Sequence, residues 1–335
     1  MCSSARPLSD LQALFVLIAD DQPICLCDNS WNANTDTPEC VVAILEKQWP
    51  GAKLIVGKHD RRDTDTRLLS SPLLYALTFG INNWKRSDES QEQHSKLPEL
   101  RDILLKNPQL RKLDIKTKYS WIQRQRIWPE YNTIPHLMYL PLLPSDRLPP
   151  LHELRFSGPD TYEFDLQHCQ LLKQCMTWHQ IHTLDLGLSC PQHFFEEIGG
   201  CLVSLKSLTM GIRTGGRGYE YRAYGPMTCG NLTPVKRFIK SVPGLTELHI
   251  TDLDAAADAV VPAILSSQKS LHTLSYHASM RRTYQRRKLT YSWTTPQLKS
   301  LHQQCPHLSN LELDFPLNNG KWVCKTIAHL PPNHL

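Results

Sequence analysis

The sequence predicts an α/β solenoid, in which short parallel strands form one layer and helices form the other. Three observations predict this fold: a recurring Leu-x-x-Leu unit, alternating apolar residues after each unit, and helical spacing between units. Self-similarity at a spacing of about 20 to 50 residues is typical of arrays whose units stack side by side. Each unit then packs only against its neighbours.

The second apolar residue of each unit, which we call the anchor, marks the predicted strands. Steps between successive anchors range from 22 to 41 residues. Apolar residues alternate after the anchors, as in Leu184-Asp185-Leu186 and Leu248-His249-Ile250, which is the period of a strand with one buried face. The predicted anchors are Leu14, Ile55, Leu77, Leu113, Leu154, Leu184, Leu208, Leu248, Leu274 and Leu311.

Helices are predicted between the strands because the apolar spacing there changes to three and four residues. Val235, Phe238 and Ile239 share one helical face in this way. Thr-Pro pairs at 37, 233 and 295 predict helix starts, since threonine caps free N–H groups and proline fits the first helical position. An x-Pro pair before many strands ends the preceding helix. Strands separated by helices are expected to be parallel, because parallel neighbours need a crossover connection.

Composition favours a folded chain. Of the 335 residues, 41% are hydrophobic and 21% are charged, and the net charge is +5. The 11 cysteines are odd in number and lack paired spacing, which predicts a reducing, intracellular compartment, either cytoplasmic or nuclear. The longest apolar stretch falls short of 18 residues, so no membrane-spanning helix is expected.

Two segments carry a resemblance to a known family: Cys305 to Phe315 (CPHLSNLELDF) and Val242 to Ile250 (VPGLTELHI). They resemble the leucine-rich-repeat region of fungal F-box proteins. The resemblance implies a leucine-rich-repeat horseshoe with a parallel concave sheet, outer helices and irregular repeat lengths. It also implies a non-enzymatic protein-binding scaffold, the substrate-recognition part of an F-box-like ubiquitin-ligase adaptor, which would dock the ligase core through an F-box upstream.

The domain boundaries follow from the same resemblance. We expect a single leucine-rich-repeat domain over residues 1–335, truncated at both ends, because an F-box module is absent and a further strand would start near Leu335. Solenoids normally carry polar capping units at both ends. The asparagine that shapes regular repeat turns is present only at Asn82, which predicts irregular loops.

Polar residues that flank the anchors are the first candidate binding surface. With the anchors facing the core, these neighbours face the open side of the sheet. Their mixed charge favours a protein partner over a polyanion, which would require one sign. The alternative is that a solvated strand face simply needs polar residues. The candidates are Lys112, Asp114, Glu153, Arg155, Asp185, Glu247, His249 and Glu312.

Long loops near 116–147, 211–231 and 277–294 are the second candidate surface, because they place cations beside aromatic rings. Such pairs grip phosphates and stack on bases. Three interpretations stay open: solvated loops, protein contacts, or nucleic-acid or phospho-ligand binding as the alternative function. The candidates are Trp121, Arg217, Tyr219, Tyr221, Arg281, Arg282, Tyr284, Arg286 and Arg287.

Catalytic and metal-binding patterns are not recognisable in the sequence. It contains no G-x-S-x-G, H-E-x-x-H, kinase or Walker motif, so we expect no enzyme activity and no cofactor. The cluster around His168, Cys169, Cys175, His179 and His182 lacks the short paired spacing of a zinc site. We therefore expect no metal.

Overall fold

A computed structural model describes the repeat array. The described residues are 24–26, 39–59, 66–81, 97–117, 140–157, 162, 164–187, 191–212, 232–252, 257–267, 269–278, 293–313, 317–318 and 321–322. Within them, ten strands form one sheet in strict chain order, and every neighbouring pair is parallel. The chain is therefore an α/β leucine-rich-repeat solenoid, which confirms the predicted fold class.

The strands are short and separated by connections of unequal length. The large sheet comprises β1 (Ile24–Leu26), β2 (Leu54–His59), β3 (Leu74–Ile81), β4 (Lys112–Thr117), β5 (Glu153–Ser157), β6 (Thr183–Asp185), β7 (Ser207–Ile212), β8 (Glu247–Asp252), β9 (Thr273–Ala278) and β10 (Asn310–Leu313). A separate antiparallel pair follows, β11 (Leu317–Asn318) and β12 (Lys321–Trp322).

Eight described α-helices lie between these strands: α1 (Glu39–Gln48), α2 (Thr66–Ser70), α3 (Leu97–Lys106), α4 (Leu166–Cys175), α5 (Gln192–Ile198), α6 (Thr233–Ser241), α7 (Ala257–Ser267) and α8 (Thr295–Gln304). Short 3-10 turns occupy Trp178–Gln180 and Gly199–Cys201. Consecutive helices pack against each other from α4 to α8, so the helices form a second layer beside the sheet.

The register aligns the anchors across the sheet. Leu77, Leu113, Leu154, Leu184, Leu208, Leu248, Leu274 and Leu311 lie directly opposite one another. The anchor predicted at Ile55 is wrong by one residue, because the register shifts after Leu54 and Val56 pairs with Leu77. Strand β1 was not predicted, and the anchor Leu14 lies outside the described residues.

The core lies between the anchors and the inner helical faces. Leu184, Leu208 and Leu248 are 0% exposed, and Phe238 of α6 is equally well covered. Burying each such side chain stabilises the fold by about 1.5–3 kcal/mol. Phe194 of α5 joins the units, since its ring centroid lies between 5.1 and 6.4 Å from those of Phe164, Trp178, Phe195 and Phe238.

The residue before each proline stop closes the end of a helix. Ser71, Asn107, Val242 and Cys305, which all precede proline, are at most 2% exposed. The Asn107 side-chain amide donates to the Leu69 and Ile103 carbonyls, both at 2.7 Å. Those carbonyls have no partner within their helices. The proline stop therefore also connects adjacent units.

The predicted threonine caps are wrong in detail. Helix α6 begins at Thr233, so its cap position is Leu232, whose side chain makes no capping hydrogen bond. Helix α8 is capped by Thr294 instead of Thr295, and Gln297 completes a reciprocal capping box. The pair at 37 and 38 lies outside the described residues.

All three predicted long loops begin later than expected, because the strands before them extend further. Strand β4 runs to Thr117, β7 to Ile212 and β9 to Ala278. In the described segment 140–148, the Asp146 carboxylate accepts hydrogen bonds from Arg101 Nε at 2.7 Å, Arg101 Nη2 at 2.8 Å and the Leu143 amide at 2.8 Å. This paired carboxylate holds the segment before β5 against α3.

Candidate protein-binding face

The face of the sheet opposite the helices, which we call the open face, carries two rows of mainly polar side chains. In both rows the residues lie opposite one another from β4 to β10. The first open row is Lys112, Glu153, Thr183, Ser207, Glu247, Thr273 and Asn310. The second open row is Asp114, Arg155, Asp185, Thr209, His249, Ser275 and Glu312. All eight candidates from the strands lie here, while their contact with a partner stays a prediction.

Ion pairs organise the first part of this face. Glu153 Oε2 lies 3.0 Å from Lys112 Nζ, and its Oε1 lies 2.6 Å from Arg155 Nε. The Glu153 side chain is 19% exposed, whereas those of Lys112 and Arg155 are 48% and 47% exposed. One shielded carboxylate therefore fixes two cations that still face solvent.

A second ionic group lies one row further along the strands. Asp114 Oδ1 accepts a hydrogen bond of 2.5 Å from Ser157 Oγ, and Asp114 Oδ2 lies 3.4 Å from Lys116 Nζ. The Asp114 side chain is also 19% exposed. Its neighbour across the register is Arg155. Alternating charges therefore cover the open face of β4 and β5.

Asp185 is a third, partly buried carboxylate on this face. Burial raises its pKa, while the Gly187 amide and Arg155 act in the opposite direction and Asp114 adds to the rise. The Gly187 N–H donates to Asp185 Oδ1 at 2.8 Å. Because these interactions do not fully offset the burial, a cation brought by a partner would be favoured beside Asp185.

Glycine is required two residues after Asp185. Gly187 has a φ of 58°, and a Cβ atom there would lie 2.6 Å from the Phe156 carbonyl oxygen. Residues with a side chain disfavour both this backbone conformation and this approach. Sequence reasoning missed this turn, although the Asp-x-Gly pattern after a strand was visible.

The open face of β7 to β9 is different, because hydroxyl side chains predominate. Thr209, Thr273 and Ser207 are partly exposed. Ser275 is only 3% exposed, although it belongs to the second open row. Carboxylates on this part of the face are Glu247 on β8 and Glu312 on β10, whose Oε2 lies 3.6 Å from His277 Nε2.

The candidates from the loops lie outside the described residues. These are Trp121, Arg217, Tyr219, Tyr221, Arg281, Arg282, Tyr284, Arg286 and Arg287. Among the residues that the structure describes, it brings together the strand candidates.

Buried histidine and cysteine side chains form part of the core. Burial raises the pKa of Cys169 to about 12 and lowers the pKa of His168 to about 4. His168 Nε2 lies 2.8 Å from the Tyr162 hydroxyl oxygen, and that oxygen accepts a hydrogen bond from the Leu140 amide at 2.6 Å. At neutral pH a protonated thiol is a poor nucleophile and a poor metal ligand.

Metal binding and membrane insertion find no support in the part of the chain that the structure describes. No group of three or more His, Cys, Asp or Glu side chains among those residues could hold a metal ion. None of the described helices has the length and apolar character needed to span a bilayer.

Comparisons with known proteins yield one kind of similarity. No protein-family model matches the chain, and no curated protein matches it significantly. Among solved structures, the chain is similar to the leucine-rich repeat-containing protein LegL7 from Legionella pneumophila. The two are 15% identical with a TM-score of 0.36, over 80% of this chain and 72% of that one. The fold is defined by strand order and register, independently of this similarity.

Proposed function

We propose that this chain is a protein-binding scaffold and that its partner contacts the open face around β4, β5 and β6. The observation that carries the proposal is the ordered set of charges on that face. Lys112, Glu153 and Arg155 form one connected group, and Asp185 lies beside Arg155 across the register. The set presents both signs of charge at fixed positions on a rigid sheet.

Stability alone does not account for these charges. Half-exposed ion pairs contribute only about 0–1 kcal/mol. Asp185 is held in a site whose burial opposes ionisation. A carboxylate whose pKa is raised on a partly accessible surface favours a functional role. A partner that offers a cation to Asp185 and carboxylates to Lys112 and Arg155 would satisfy the whole set.

The charge pattern favours a protein over a nucleic acid. A phosphate backbone requires cations without interspersed carboxylates, because its charge has one sign. On the open face, Asp114, Glu153 and Asp185 alternate with the cations across β4 to β6. A protein surface with complementary mixed charges fits this pattern.

A finer proposal is that the scaffold is the substrate-recognition part of an F-box-like ubiquitin-ligase adaptor. The resemblance of the repeat segments to fungal F-box proteins supports it. The gene upstream of the codon for Met1 would then encode a helical F-box module, and a version containing that module would co-purify with the ligase core. Finding an unrelated domain there would remove the adaptor role and leave the scaffold.

Charge reversal tests the scaffold proposal. The double variant Lys112→Glu/Arg155→Glu is expected to lose proteins that the wild-type chain captures from extract of the cells that express it. A matched control, Arg237→Glu/Lys299→Glu, changes the same charge on exposed helical positions of α6 and α8. Loss in both variants, or in neither, would contradict binding through the open face.

A further inference from the structure

We propose a second binding surface, separate from the open face: the rim of the sheet where the strands begin binds an acidic protein segment in extended conformation. The rim row consists of the residues that directly precede the first open row on β4 to β10, together with Tyr75 of β3. Its members are Tyr75, Arg111, His152, His182, Lys206, Thr246, His272 and Ser309.

A backbone ladder fixes the spacing of the rim row. The His152 amide donates to the Arg111 carbonyl at 2.7 Å, and the His182 amide donates to the His152 carbonyl at 2.8 Å. The same bond, between 2.8 and 2.9 Å long, links each later member to the one before it, up to Ser309. Side chains of the row are therefore about one strand spacing, roughly 4.8 Å, apart.

The rim row contains basic side chains and no carboxylate. Arg111 and Lys206 are cations, and His152, His182 and His272 add imidazole rings, although burial and the neighbouring His182, Arg111 and Lys112 lower the pKa of His152. Lys53 adds a further cation above the Tyr75 ring, with Nζ 5.0 Å from the centroid. Among the described turns that lead into β2 to β10, the one carboxylate is Asp146 before β5, and it is paired with Arg101. Among the described carboxylates, none forms an ion pair with these six basic side chains.

Stabilisation of helix C-termini does not fully explain why basic side chains occupy this row. Cations favour the negative C-terminal end of a helix, and Arg111 Nη1 does donate to the Pro108 and Leu110 carbonyls at 2.9 and 3.0 Å. His182 and Lys206, by contrast, are exposed and make no side-chain hydrogen bond to a described residue. The Lys206 ammonium and the His182 imidazole therefore remain available to a ligand.

The dimensions fit an extended peptide. Five strand steps separate Arg111 from His272, which is about 24 Å. An extended segment of eight residues spans about 26 Å. Nucleic acid is disfavoured because single-strand binding relies on several free stacking rings. In the rim row Tyr75 is the single Phe, Tyr or Trp, and the His152 and His182 rings contact each other, with centroids 5.4 Å apart.

The test uses a fluorescein-labelled peptide of eight glutamates and, in parallel, a labelled oligothymidylate of similar length. We expect His182→Gln/Lys206→Gln to weaken glutamate-peptide binding by about twofold to fivefold, the range for one exposed charge contact. Both side chains are exposed, so the variant is expected to fold. The control Arg237→Gln/Lys299→Gln is expected to bind like wild type.

Two outcomes would overturn the proposal. Equal binding by the rim variant and the control would mean that glutamate peptides respond to net charge alone. Tighter binding of the oligothymidylate, reduced by the same rim substitutions, would assign the rim to nucleic acid instead. Neither outcome bears on the open face, because the rim variant leaves Lys112, Glu153 and Arg155 unchanged.

Discussion

Strands β4 to β6 and strands β7 to β9 have the same inner face and different outer faces. Toward the helices, the anchors Leu113, Leu154 and Leu184 match Leu208, Leu248 and Leu274, and all six are at most 2% exposed. Toward solvent, the first group presents two ionic clusters and Asp185, whereas the second mainly presents hydroxyls.

The difference separates what folds the chain from what the chain recognises. Apolar anchors must match because neighbouring units pack on one another. Outer positions are free of that requirement, so a concentration of charge there favours the proposed binding role. The turn after β6, next to this charged group, requires glycine at position 187.

The largest expected effect tests the shared inner face. Leu184→Ala and Leu248→Ala each remove a side chain that is 0% exposed, so each is expected to lower the free energy of unfolding by about 2–5 kcal/mol. Urea unfolding followed by circular dichroism measures both. If one of these variants cost less than about 1 kcal/mol, the two groups would not share an equivalent core.

A smaller effect is expected at the turn that follows the charged group. Gly187→Ala places a Cβ atom 2.6 Å from the Phe156 carbonyl oxygen at a φ of 58°, so a loss of about 1–3 kcal/mol is expected. Gly200→Ala is the control, since nothing lies within 4 Å of its added Cβ. Equal unfolding midpoints for the two variants would contradict the tight turn.

Asp185 predicts a pH-dependent difference between the groups. Burial raises its folded-state pKa above the ordinary 3.8, so the ionised carboxylate opposes folding. The destabilisation caused by the ionised Asp185 carboxylate should develop as the pH rises through its folded pKa, and it should be absent well below pH 3.8. Asp185→Asn is therefore expected to be more stable than wild type at neutral pH and equal to it in acid.

Unfolding midpoints between pH 3 and pH 8 measure this difference, with Glu247→Gln on β8 as the matched control in the hydroxyl-rich group. A constant offset between Asp185→Asn and wild type at every pH would show that ionisation of Asp185 is not the cause.

The smallest stability effect is expected at Glu153. Glu153→Gln removes the carboxylate between Lys112 and Arg155, and half-exposed pairs contribute about 0–1 kcal/mol, so the unfolding free energy should barely change. Capture of the partner should nevertheless weaken, because the two cations lose their fixed positions. A large loss of stability with unchanged capture would assign Glu153 to folding.

Most of the sheet could be predicted from the sequence because the anchors repeat in a fixed pattern. Where that pattern fails, the prediction failed too. Leu54-Ile55-Val56 contains three consecutive apolar residues, so alternation cannot choose the register there, and a shift in the strand pairing decides it. Strand β1 is only three residues long and lacks the Leu-x-x-Leu unit.

The sequence predicted which residues lie on the open face, but it did not predict which of them form ion pairs with one another. Side chains that flank an anchor had to reach the open face, so Lys112, Glu153 and Arg155 were identifiable. Glu153 and Arg155 lie on the same strand, whereas the pair between Lys112 and Glu153 joins strands 41 residues apart in sequence and depends on register. The same holds for Arg101 and Asp146, which are separated by 45 residues. The basic rim was visible as Leu-His or Ile-His pairs before strands, yet its alignment required the ladder.

Site-directed photo-crosslinking tests the central claim, that the charged open face contacts the partner, most directly. A photoreactive residue would replace Thr183 on β6, Thr209 on β7 or Lys299 on α8 in turn, in extract of the cells that express the chain. The account predicts one crosslinked partner that is strongest from position 183, weaker from 209 and absent from 299. Crosslinking of that partner from 299 alone would contradict it.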